Sequence, residues 1–175
     1  SMELKRDLLA KLLQWKESAT RKPLIVQGAR QIGKTWILKK FGELYYEHTA
    51  YFNFDASEEL CREFENTKDP DRLLGILRLY TDRPIEAGNT LIIFDEIQQC
   101  NKALNSLKYF YENRPEYHIV AAGSLLGVLL SKGDSFPVGQ TDFLRMYPVS
   151  FREFLLAENR QIYDFVEGMN GIEAL

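Results

Sequence analysis

The chain has 175 residues, 45% of them hydrophobic and 27% charged, with a formal net charge of −3, which is ordinary for one globular domain with a real core. No apolar run approaches the ~20 residues of a membrane helix and no secretory leader pattern opens the chain, so no membrane partner is expected. The net charge argues against a globally basic nucleic-acid binder, but residues 1–50 hold ten Lys/Arg against five Asp/Glu, a local surplus that suits a phosphate ligand or a solvated helix face.

Residues 3–17 have helical spacing, with Leu4, Leu8, Leu9, Leu12, Leu13 and Trp15 as an apolar stripe opposite lysines; such a helix packs on its own domain more often than on a partner. Pro23 to Gln27 is a short apolar run ending at Gly28, as expected of a buried parallel strand. Residues 35–41 return to helical spacing through Ile37, Leu38 and Phe41, and Gly42 is the expected stop.

Tyr51 to Asp55 reads as a second strand. Ser57 caps a helix opening on Glu58 and Glu59, and Asp69-Pro70 opens another bearing Leu73, Leu74 and Leu77. Residues 86–89 form a turn before the third strand, Leu91-Ile92-Ile93-Phe94. A helix over 102–113 closes at Arg114-Pro115, and Tyr117 to Ala122 is a fourth strand. Ser124 is placed to cap a short apolar helix over 125–130, 132–140 is a polar loop, and Phe143 to Tyr147 is a fifth strand. Ser150 then caps a helix running to Ala157. Strands alternate with helices throughout, which predicts an α/β fold on a parallel sheet.

Two motifs carry the chemistry. Gly28-Ala29-Arg30-Gln31-Ile32-Gly33-Lys34-Thr35 is a G-x-x-x-x-G-K-[ST] loop between a strand and a helix. Its glycines let the backbone wrap an anion, its amides and the helix N-terminus face phosphate, Lys34 reaches the β- and γ-phosphates, and Thr35 ligates Mg²⁺. Trp36 follows at once and is counted with the nucleotide-binding residues. The second motif is Leu91-Ile92-Ile93-Phe94-Asp95-Glu96, a buried strand with two carboxylates at its C-terminal end, where ligands of open α/β sheets bind. Asp95 is the expected Mg²⁺ partner of Thr35, and Glu96 is placed to activate a water. A nucleoside triphosphate and Mg²⁺ are the expected ligands.

With these motifs the chain resembles the AAA+ branch of P-loop ATPases, and the resemblance implies a three-layer fold with five parallel strands in the order 5-1-4-3-2. By the same resemblance Ser124 matches the polar sensor-1 residue, with helix capping as its plainer role. Asn53 matches the polar residue that restrains the catalytic Glu, with a strand-end turn as its plainer role. Ala122 to Gly127, Ser135 to Gly139 and Tyr147 to Phe154 resemble one bacterial and archaeal AAA group whose members add a C-terminal domain of unknown function. That group often has Arg where Gln140 stands. Arg114, Arg145 and Arg152 are the remaining arginines to weigh as a finger, each also an ordinary surface charge. The implied organisation is an N-terminal helix (1–20), an ATPase core (21–158) and the start of a lid or linker (159–175) in a fragment of a longer, self-associating protein.

The expected activity is Mg²⁺-dependent ATP hydrolysis driving a conformational switch in the larger protein. A nucleic-acid-associated loader or motor, and a slow nucleotide-binding switch, are the alternatives. Cys61 and Cys100 show neither metal-ligand spacing nor a disulfide framework and read as free buried thiols, which suits a cytoplasmic protein. His48 and His118 also lack ligand spacing.

Overall fold

The computed structural model describes residues 2–28, 33–123 and 139–145. Ala29 to Ile32, Ser124, Arg152 and the expected helices over 125–130 and after Ser150 lie outside the described residues.

The elements run α1 (Met2–Glu17), β1 (Leu24–Gln27), α2 (Lys34–Tyr45), β2 (His48–Asn53), α3 (Glu58–Asn66), α4 (Pro70–Leu79), β3 (Thr90–Asp95), a single 3-10 turn (Ile97–Gln99), α5 (Asn101–Asn113), β4 (His118–Gly123) and β5 (Asp142–Arg145). The five strands form one sheet in the order β2-β3-β4-β1-β5, every pairing parallel. This is the expected order read from the other edge.

Strand alternation splits the core into two layers. Ile25, Ile92, Phe94, Ile119, Ala121 and Phe143 face α3, α4 and α5. Leu24, Val26, Leu91, Ile93, Val120, Ala122 and Leu144 face α1 and α2. On the first side Phe52, Phe54, Phe64 and Phe94 meet edge to face at 5.4–6.2 Å, the arrangement ring quadrupoles favour. On the second, Leu8, Leu12 and Trp15 of α1 are buried against α2 and the sheet, so the N-terminal helix packs on its own domain.

Two caps read from sequence hold, and those assigned to Ser124 and Ser150 lie outside the described residues. Ser57 Oγ accepts the Leu60 amide at the start of α3, and the Asp69 carboxylate accepts the Asp71 amide at the start of α4.

Three expectations are corrected. The helix after the loop does not stop at Gly42 but continues to Tyr45, where the Tyr46 amide closes on the Gly42 carbonyl. Gly42 is there for space, since a Cβ at that position would lie 2.2 Å from Thr49 Oγ1. The second strand starts at His48 rather than Tyr51, because the His48 amide donates to Asn89 and Thr49 and Ala50 pair with Leu91 and Ile92. Finally, Cys61 and Cys100 are not free thiols: they form a disulfide that ties α3 to the start of α5 across 39 residues of sequence. That bridge removes the thiol argument for a reducing compartment.

Candidate functional site

β1 ends at Gln27 and α2 begins at Lys34, so Gly28 and Gly33 stand at the C-terminal edge of the sheet. Gly33 stands just before α2 with φ 76°, a left-handed conformation that glycine adopts without strain. Lys34 is buried, and its Nζ donates to the Gly28 carbonyl at 2.8 Å, closing the loop end to end. Gln27, fully buried just ahead of the loop, makes no side-chain hydrogen bond among the described residues.

Asp95 ends β3 on the α2 face, continuing the alternation of Leu91 and Ile93. Its side chain is held from three directions. The Thr35 hydroxyl donates to Oδ2 at 2.6 Å, the Tyr51 hydroxyl donates to the same oxygen at 2.5 Å, and the Glu96 amide donates to Oδ1 at 2.9 Å. Thus the two expected Mg²⁺ residues are in contact although 60 positions separate them in sequence.

The donor set fits Mg²⁺. A hydroxyl and a carboxylate are the hard oxygen ligands the ion takes. Asp95 is only 2% exposed, and the hydroxyls of Thr35 and Tyr51 and the Glu96 amide that donate to it are neutral groups.

Glu96 follows with φ 53° and ψ 46°, left-handed backbone that costs a non-glycine residue on the order of 1 kcal/mol. The turn takes Glu96 out of the strand, and its carboxylate accepts the Gln98 side-chain amide at 2.7 Å. Asn53 is the register partner of Asp95. Its side-chain oxygen accepts the Asp55 amide at 2.8 Å, the turn-forming bond open to a strand-end Asn. Trp36 is half exposed on the first turn of α2, with Lys5 Nζ 4.4 Å from its ring centroid.

Of the arginines weighed as a finger, Arg114 is committed elsewhere: Nε and Nη2 grip both carboxylate oxygens of Asp71 at 2.7 and 2.6 Å, joining α5 to α4. Arg145 ends β5 as the register partner of Gln27.

Tyr51 is the site residue the sequence reading missed. It lies diagonally across the β2–β3 pairing from Asp95, two positions before Asn53 in register, which a long side chain can span. Burial first, and then the bond to Asp95, hold its phenol well above the ordinary range, so it remains a donor at neutral pH. The signal was present in the alternation of β2, but reading it required the register with β3.

Glu47, His48 and Glu86 form the one group of three metal-capable side chains found together among the described residues. They sit at the far ends of β2 and β3, with the Arg83 guanidinium 3.4 Å from His48 Nδ1.

Residues 20–155 match the family model described as AAA domain. An uncharacterized protein of Haemophilus influenzae is 24% identical over 168 residues, covering 91% of this chain and 39% of that protein. Among solved structures, Aeropyrum pernix ORC1 in complex with DNA superposes with a TM-score of 0.52 at 17% identity, covering 89% of this chain and 48% of that one. A point variant of Thermotoga maritima RuvB gives 0.50 at 16% identity, covering 89% and 49%. The fold is shared with both, and the chain spans two fifths to half the length of these proteins.

Proposed function

The chain belongs to the AAA-domain family, and on that premise we propose that it binds ATP with Mg²⁺ and directs water to the γ-phosphate. The contact between Thr35 and Asp95 carries this reading, because it joins the phosphate loop to the acidic strand end around one oxygen. Bound Mg²⁺ would neutralise charge on the β- and γ-phosphates. Thr35 and Asp95 would hold it, while Gly28, Gly33 and the loop residues Ala29, Arg30, Gln31 and Ile32 would supply backbone donors. Lys34 lies buried against the Gly28 carbonyl and would exchange that acceptor for phosphate oxygen, a stronger charge-assisted bond.

Glu96 is the proposed general base. Its turn carries it out of the strand, and the Gln98 amide holds one of its carboxylate oxygens. Ser124 and Asn53 keep the family-implied roles of γ-phosphate sensing and restraint of Glu96, and Trp36 is kept as a nucleotide contact. By the same analogy, hydrolysis drives a change of conformation in a longer, self-associating protein.

A fluorescent-ATP titration with parallel phosphate release tests the reading. Lys34→Ala is expected to weaken binding by more than tenfold. Glu96→Gln is expected to bind as the parent does while losing turnover. Parent-like affinity in Lys34→Ala removes the site, and parent-like turnover in Glu96→Gln removes the base. Tight binding with negligible turnover in the parent would select the slow switch instead.

A further inference from the structure

We propose that Tyr51 is a positioning residue for the metal-binding carboxylate, setting how Asp95 is presented to a divalent cation. The inference rests on the nucleotide-site reading above and extends it to a residue outside both motifs.

A carboxylate oxygen has two lone-pair directions. On Asp95 Oδ2 one is taken by Thr35, from the N-terminus of α2, and the other by Tyr51, from β2. Thr35 belongs to the phosphate loop, so its hydroxyl is the donor a cation would draw away. Tyr51 belongs to the sheet and stays. It fixes the Asp95 carboxylate from the strand side, while the Glu96 amide fixes the other oxygen. The carboxylate therefore meets the ion already oriented, with little torsional freedom left to lose.

Tyr51 is itself secured. Lys39 Nζ of α2 lies 4.0 Å from its ring centroid, a cation over the ring face. Asn53 shares the face of Tyr51 on β2 but spends its side-chain oxygen on the Asp55 amide. Among the described residues, β2 therefore reaches the Asp95 carboxylate through Tyr51. Tyr51 lines an open groove between α2 and β2, and Tyr51→Phe removes only the hydroxyl while keeping the ring beneath Lys39.

The test is Mn²⁺ affinity of the 175-residue chain, read by electron paramagnetic resonance at saturating non-hydrolysable ATP analogue. Analogue affinity in EDTA and the melting temperature are measured beside it. Tyr51→Phe is expected to raise the Mn²⁺ dissociation constant about tenfold, as loss of an outer-shell partner does. Metal-free analogue affinity should stay within twofold and the melting temperature close to the parent's. Unchanged Mn²⁺ affinity in Tyr51→Phe, with parent behaviour intact, overturns the role of Tyr51 alone. An equal loss in EDTA also overturns it, because the hydroxyl would then be supporting the whole pocket. If the parent shows no analogue-dependent Mn²⁺ binding, the nucleotide-site reading itself fails and this inference falls with it.

Discussion

Single side chains here do work that their neighbours in sequence do not announce. His118, the first residue of β4, is 7% exposed, packed edge-on to Trp15 and Tyr46, with its Nδ1 bonded to the Tyr46 hydroxyl at 2.6 Å. Burial above all, and then the charges of Arg21 and Lys16, lower its pKa from 6.5 to about 4. The folded protein thus holds a neutral imidazole over a range in which the unfolded chain binds a proton. Stability from this residue is complete above pH 6.5 and declines as pH falls toward 4. Urea denaturation at pH 7 and pH 4.5 should show His118→Gln losing roughly 2 kcal/mol less than the parent on acidification. Equal losses would mean the imidazole plays no part. Lys34, Thr35, Asp95 and Glu96 could be nominated from motif spacing because their chemistry is local to two short runs. Tyr51 and His118 could not, since each gains its role from a strand or helix far away in sequence.

At the scale of elements, most of the α/β order was legible because buried parallel strands read as apolar runs, and α3 and α4 open on clear caps. The failures came where packing overrides a local rule. A helix-interior Gly is about 1 kcal/mol worse than Ala, so Gly42 reads as a stop, yet α2 passes through it because β2 needs the room. Gly42→Ala should therefore destabilise by about 1–2 kcal/mol, the cost of overpacking against Thr49. In a Thr49→Ala background, where only a Cβ remains 3.1 Å away, the same change should cost about 1 kcal/mol less than in the parent. Thermal melts of the four proteins in this cycle decide it, and a stabilising Gly42→Ala in the parent background would refute the packing account. β2 starts earlier than expected for a related reason: His48 and Thr49 are only half buried, and it is β3 that makes them strand.

Over the molecule as a whole, one sheet carries two cores, and the disulfide acts on the core beneath α3 and α5. Cys100 follows the 3-10 turn that leaves Glu96, with its amide bonded to Ile97, so the bridge to Cys61 anchors the chain just beyond the acidic pair. Two isolated cysteines 39 residues apart give no local signal; only the packing of α3 on α5 brings their Cα atoms to 5.7 Å. Closing a loop of that length should contribute about 2–4 kcal/mol. A Cys61→Ser/Cys100→Ser variant should melt below the oxidised parent, and reductant should lower the parent's melting temperature but not the variant's. Insensitivity of the parent to reductant would exclude the tether as a source of stability. The whole-chain order was legible because alternation is a global pattern, whereas the crosslink was not, because it depends on one pair of atoms.

The strand order has a last consequence. The loop is rooted on β1 and the acid on β3, with β4 between them. Neighbouring strands stand about 4.8 Å apart, so the two roots are held on the order of 10 Å from each other by backbone hydrogen bonds alone. The sheet is in effect a gauge block: it sets the spacing between the two motifs before any side chain has been chosen.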